Sequence, residues 1–140
     1  WEIGAVEVTL TGAGRLDALF EGLASPLPML ATHEDRVETL PPGGVLLAGN
    51  ASAPIQAFRV GESVWGVQFH PEATTAILQE LILLRRERLE DDARAHGREA
   101  EKEVERLLER LERFDPRPAR RLLDNFVRVC LRDRDPGRPM

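Results

Sequence analysis

Over the first 72 positions, short apolar runs separated by turn-forming residues predict strands at Ala5–Leu10, Met29–Thr32, Val45–Ala48, Ile55–Val60 and Val64–Phe69. Gly12 and Gly14 follow the first run. Pro41-Pro42-Gly43-Gly44 precedes the third, and Gly61-Glu62-Ser63 joins the last two as a hairpin. Leu16, Leu19, Phe20 and Leu23 fall at helical spacing, which predicts a short amphipathic turn limited by Gly22 and Pro26. Beyond Pro71 the period becomes helical. Thr74 is placed to cap a helix that carries Ile77, Leu78, Leu81, Ile82 and Leu84 on one broad face.

From Arg85 to Arg113, 19 of 29 residues are charged, and Val104, Leu107, Leu108, Leu111 and Phe114 leave only a narrow apolar stripe. Two helices parted at Gly97 are expected there, with a solvated outer face. Asp115-Pro116-Arg117-Pro118 stops the second. Leu122, Leu123, Phe126, Val127 and Cys130 then mark a last amphipathic helix, followed by a tail from Asp133 expected to fray.

The 140 residues suffice for one modest domain, divided here into a strand-rich part, 1–72, and a helical part, 73–140. Residues 1–72 hold 3 basic and 9 acidic groups, and the remainder 16 and 15. The net charge of −5 disfavours broad nucleic-acid binding. No apolar run approaches a membrane span. A single cysteine supplies no disulfide framework, so a cytoplasmic location is expected. The chain opens at Trp1 directly on strand-like sequence, which raises the expectation that it comes from a longer one.

The segment Val64-Trp65-Gly66-Val67-Gln68-Phe69-His70-Pro71-Glu72 carries the chemistry. Pro71 lacks the N–H a ladder needs, so His70 sits at a strand end, where α/β proteins place functional groups. Glu72, two residues on, can accept a hydrogen bond from one imidazole nitrogen, fix the tautomer and leave the other free as a base. Taken by itself, His-Pro-Glu is also a common structured turn.

Gly66 through Glu72 resembles the signature of the type 1, or triad, glutamine amidotransferases. Further matching stretches are Glu2-Ile3-Gly4, Thr9-Leu10-Thr11, Leu19-Phe20-Glu21-Gly22-Leu23, His33-Glu34-Asp35-Arg36-Val37, Leu40-Pro41-Pro42-Gly43, Gln56-Ala57-Phe58-Arg59 and Leu122-Leu123-Asp124-Asn125-Phe126. Their order is similar to that of the GMP synthase-like members. The resemblance implies the C-terminal portion of a doubly wound, flavodoxin-like α/β domain, with added C-terminal helices.

It further implies hydrolysis of L-glutamine to glutamate and ammonia, with the ammonia passed to a synthase or ligase partner. His70 would be the base and then the acid, with Glu72 orienting it. His33, Glu34 and Asp35 would lie on the substrate side. Without the resemblance, these three read as an exposed polar loop. The Gly-x-Cys-x-Gly nucleophile turn of the family is absent, so the 140 residues alone are expected to be inactive. Cys130, on a predicted helix with no glycine-rich turn, reads as a structural thiol.

No cofactor is implied, and the spacing of His33, Asp35, His70 and Glu72 does not favour a metal. Gly12 and Gly14 lack the residues of a phosphate loop. Trp65, Phe58 and Phe69 read as core. Two other readings stand beside the first: a non-catalytic module that binds a partner through its charged helices, and a γ-glutamyl hydrolase using the same triad. A half-sheet would leave an open edge, from which self-association is expected.

Overall fold

A computed structural model describes residues 1–132. Five strands, β1 (Glu2–Leu10), β2 (Leu27–His33), β3 (Gly44–Gly49), β4 (Ala57–Val60) and β5 (Val64–Val67), form one curled sheet in the order β2-β1-β3-β4-β5. Every ladder among the described residues is antiparallel. The curl arises in β1, which pairs with β2 from Glu2 to Val8 but with β3 only at Thr9 and Leu10.

Alternation decides what each face of the β1–β2 pair buries. Val8 and Leu10 of β1, with Leu27 and Met29 of β2, join Leu19, Phe20, Leu47, Phe69, Ala119 and Leu122 in one cluster. Ile3 and Leu30 point the other way, into a second cluster with Leu78, Ile82, Leu89, Val104, Leu107 and Leu111. Helices therefore cover this pair on both sides, in the layered α/β/α manner expected. Each fully buried side chain of this size contributes about 1.5–3 kcal/mol.

The second layer consists of α2 (Thr75–Leu84), α3 (Arg86–Ala95) and α4 (Ala100–Glu112), while α5 (Arg117–Arg132) packs with the first cluster. Thr74 caps α2 through a hydrogen bond that its Oγ1 accepts from Ile77 N–H, as its position predicts. Gly97 closes α3 at φ +67°, a conformation that suits glycine. Asp115 accepts from Arg117 N–H where α5 begins.

The two helices expected in the charged stretch are present, α3 and α4 parted around Gly97, and α2 ends at Leu84 as its apolar face predicts. Other expectations need correction. Ile77 and Leu84 are exposed, because only Leu78 and Ile82 of α2 reach full burial in the core. The predicted helix around Leu16 splits into α1 (Gly12–Leu16) and a 3₁₀ turn at Ala18–Phe20, divided by Asp17. Leu16 points into solvent, whereas Leu19 and Phe20 are core. The stripe Val104, Leu107, Leu111 is not free for a partner, since it is buried against Ile3 and Leu30. Cys130 is half-buried, and the tail from Asp133 lies outside the described residues.

Two buried polar side chains tie distant segments together. Asp17 accepts from Leu19 N–H, from Arg59 Nε at 2.7 Å and from Trp65 Nε1 at 3.0 Å. Asn125 donates to the carbonyls of Leu19 and Glu21, both at 2.9 Å, and so fixes α5 to the 3₁₀ turn.

Candidate active site

β5 leads into the site. The Phe58 ring lies over Gly66, and a Cβ there would come within 2.4 Å of that ring, so any larger residue would have to displace it. The ladder ends at Val67, two residues earlier than the apolar pattern predicts, and the chain continues past Gln68, whose N–H donates to the Gln56 carbonyl. Phe69 is sealed in the first cluster. His70 N–H then donates to the Leu30 carbonyl at 2.7 Å, and Ala73 N–H to the His70 carbonyl at 3.2 Å. The backbone of His70 is thus held from both sides, while its ring remains two-fifths exposed.

His70 Nδ1 lies 2.8 Å from Glu72 Oε1. A carboxylate accepts, so Nδ1 donates, and in the neutral ring Nε2 carries the free lone pair. Nε2 has no protein partner among the described residues. Partial burial pushes the Glu72 carboxyl up. The opposing effects of its own backbone N–H and of the His70 hydrogen bond and charge prevail, holding it below the ordinary 4.5.

A carboxylate lowered in this way favours the pair fully above pH 4.5 and loses it as pH falls through the lowered value. Carbon-detected NMR of the side-chain carboxyl should show a Glu72 midpoint below 4.5, and His70→Ala should move it upward. An unmoved midpoint would mean that the imidazole does not sense this acid.

The loop after β2 differs from its sequence reading. His33 is not exposed: its side chain retains 11% of its accessible surface and Glu2 beside it 10%. His33 Nε2 meets Glu2 Oε2 at 2.9 Å and Nδ1 meets the Asp35 carbonyl at 3.0 Å. Both partners are acceptors, and a ring N–H donates to one or the other according to the tautomer. Glu2 also accepts from Asn50 Nδ2 and Gln56 Nε2, both at 2.6 Å. Sequence reasoning missed this hub. Its only signal is a glutamate and a glutamine each beside an isoleucine in strand-like sequence.

Glu34 pairs with Arg88, whose guanidinium also lies over the Trp1 ring at 4.7 Å. His33, Glu34 and Asp35 together line one cavity of about 410 Å³ with Trp1, Glu2, Arg36, Glu38 and Ser52. His70 and Glu72 are not among its lining residues. Glu72 instead borders a separate space beside Thr74, Phe114 and Arg120. No cluster of three or more His, Cys, Asp or Glu side chains able to hold a metal occurs among the described residues. No helix described is long and apolar enough to cross a membrane.

An imidazole with one nitrogen on a carboxylate and the other open is able to take a proton. The pattern of the class-I glutamine amidotransferases matches residues 3–85, and the chain belongs to that family. It is similar to the glutamine-hydrolysing GMP synthase of Porphyromonas gingivalis, 43% identical over 72 residues that make up 51% of this chain and 14% of that protein. With the Xanthomonas campestris enzyme of that name it shares 42% over 91 residues, 61% of this chain and 17% of the other. A shorter relative, one component of the glutamine-hydrolysing GMP synthase of Pyrococcus abyssi, is 42% identical over 57 residues, 40% of this chain and 30% of that one.

Among solved structures, a glutamine amidotransferase from Thermotoga maritima superposes with a TM-score of 0.66 at 22% identity, covering 91% of this chain and 50% of the other. One from Methylobacillus flagellatus gives 0.68, again at 22% identity, over 91% and 52%. These likenesses establish the flavodoxin-like amidotransferase fold. The chain spans about half the length of those structures and a smaller share of the curated relatives.

Proposed function

We propose that this chain supplies the His–Glu part of a glutaminase of the GMP synthase kind, which releases ammonia from L-glutamine for an acceptor synthetase domain or partner. The observation that carries the reading is the 2.8 Å bond from His70 Nδ1 to Glu72, with Nε2 left open at the end of β5. His70 Nε2 takes the proton of a thiol nucleophile, and the thiolate attacks the side-chain amide carbon. The imidazolium returns that proton to the leaving nitrogen, ammonia departs, and water then hydrolyses the thioester to glutamate with His70 again as base. Glu72 holds the ring's orientation and offsets its charge during both steps.

The nucleophile comes from outside these 140 residues. Cys130, the single cysteine, lies on α5 and not in a turn that could offer backbone N–H groups to an oxyanion. The 140 residues alone are accordingly inactive in this reading. His33, Glu34 and Asp35 border the substrate's amino-acid end. Self-association is assigned to the open edge of β5, where Val64 and Val67 are exposed.

The test is ammonia release by the full-length protein from L-glutamine, compared with γ-glutamyl peptides. Preference for free glutamine by kcat/KM supports the reading. Faster cleavage of the peptides points to a γ-glutamyl hydrolase, and no release from either to a non-catalytic relative.

A further inference from the structure

Between Glu34 and Leu40 the main chain makes no hydrogen bond to other main-chain groups among the described residues. Side chains hold this loop in place of a ladder, and one of them, Gln68, lies in the segment that runs from β5 to His70. Gln68 Oε1 accepts from Val37 N–H at 3.2 Å, and Gln68 Nε2 donates to the Asp35 carbonyl at 3.3 Å. The same carbonyl lies 3.0 Å from His33 Nδ1. His33 continues to Glu2, Glu2 to Gln56, and the Gln56 carbonyl accepts from Gln68 N–H at 2.8 Å. The hydrogen bonds form a closed ring that begins and ends on Gln68.

This ring fixes the direction of one peptide group. With the Asp35 carbonyl turned toward Gln68 Nε2 and His33 Nδ1, the trans Asp35–Arg36 peptide aims Arg36 N–H the opposite way, away from Gln68 and the His33 ring. That N–H has no protein acceptor among the described residues, and both residues border the 410 Å³ cavity. We infer that Gln68 is a positioning residue for glutamine binding. Its amide clasps the 35–37 segment so that a main-chain donor is presented to an acceptor oxygen of the substrate. The inference rests on the reading of this loop as the substrate side. It separates the two roles of one strand end: His70 acts on the reacting atoms, whereas Gln68 acts through the loop.

Two substitutions in the full-length protein test it. Gln68→Met keeps the length of the side chain and removes both bonds. Gln68→Glu keeps the acceptor for Val37 N–H and sets a carboxylate against the Asp35 carbonyl. In Gln68→Met, amide exchange at Val37 should quicken by about tenfold or more, and KM for L-glutamine should rise by about tenfold with kcat within about threefold. Gln68→Glu should retain the Val37 protection and still raise KM, and it serves alone if the methionine variant does not fold.

Unchanged Val37 exchange in Gln68→Met, or a fall in kcat at unchanged KM, would overturn the inference. If the wild-type protein releases no ammonia at all, the glutaminase reading fails, and the inference about glutamine binding fails with it. The exchange measurement would still show whether Gln68 holds the loop, so the two failures are distinguishable.

Discussion

Replacing His70 by alanine should lower ammonia release from L-glutamine by about 10²–10⁴-fold in the full-length protein, the range expected when a general base is removed. In the proposed reaction the loss should fall on kcat, because His70 is assigned to the proton transfers and not to the loop assigned to the amino-acid end. Folding should be little changed. The ring is two-fifths exposed and its partner Glu72 more so, and exposed pairs of this kind contribute little to stability. The anchors at this position, the N–H to Leu30 and the carbonyl to Ala73, are main-chain groups that alanine keeps. Glu72→Gln should cost less than His70→Ala, since it leaves the base in place and impairs only its orientation and charge balance. Steady-state ammonia release with thermal melting as a control decides the matter. A His70→Ala protein that melts normally and keeps most of its rate would refute the assigned role.

The largest effect on stability is expected at Glu2. Alanine there leaves the Asn50 and Gln56 amides without the carboxylate they donate to and His33 Nε2 without its partner, in a site with little access to water. Removing one partner from a buried charged network costs about 3–5 kcal/mol. Asn50→Ala, which removes one donor to Glu2 together with the Asn50 contacts to Ala53 N–H and the Glu7 carbonyl, should cost about 1–3 kcal/mol. Urea denaturation should show the Glu2→Ala midpoint falling well below that of Asn50→Ala, with an unchanged slope. A loss under about 1 kcal/mol for Glu2→Ala would mean that water replaces the carboxylate and that the hub is not structural. The same variant should loosen the 33–37 loop, because Glu2 is one member of the ring that holds it.

The His70–Glu72 contact was legible because its partners are neighbours in sequence. Pro71 ends the strand, and a spacing of two lets Glu72 reach the ring of His70; both follow from local chemistry. The Thr74 cap and the break at Gly97 were readable for the same reason. Glu2 was not, since its three partners lie 31, 48 and 54 residues away and only the curl of β1 brings them together. His33 looked exposed in a polar stretch, yet the antiparallel register sets it opposite Glu2 at the end of the β1–β2 ladder. The face of α2 was overestimated because apolar residues on a short helix do not all find a covering layer, and Ile77 and Leu84 did not. Asp17 shows the converse: a charge in an apolar run becomes an interior acceptor for Trp65 and Arg59 once the hairpin folds over it.

The two-sided burial of the β1–β2 pair limits how the chain can vary in length. Adding or deleting one residue within β2 would exchange its inward and outward side chains, sending Leu30 into the layer of Met29 and Met29 into that of Leu30. The carbonyl that receives His70 N–H would shift with it. Extra residues are therefore best accommodated at the Pro41–Gly44 turn or around Gly97, which lie outside both interiors and leave the strand frame intact.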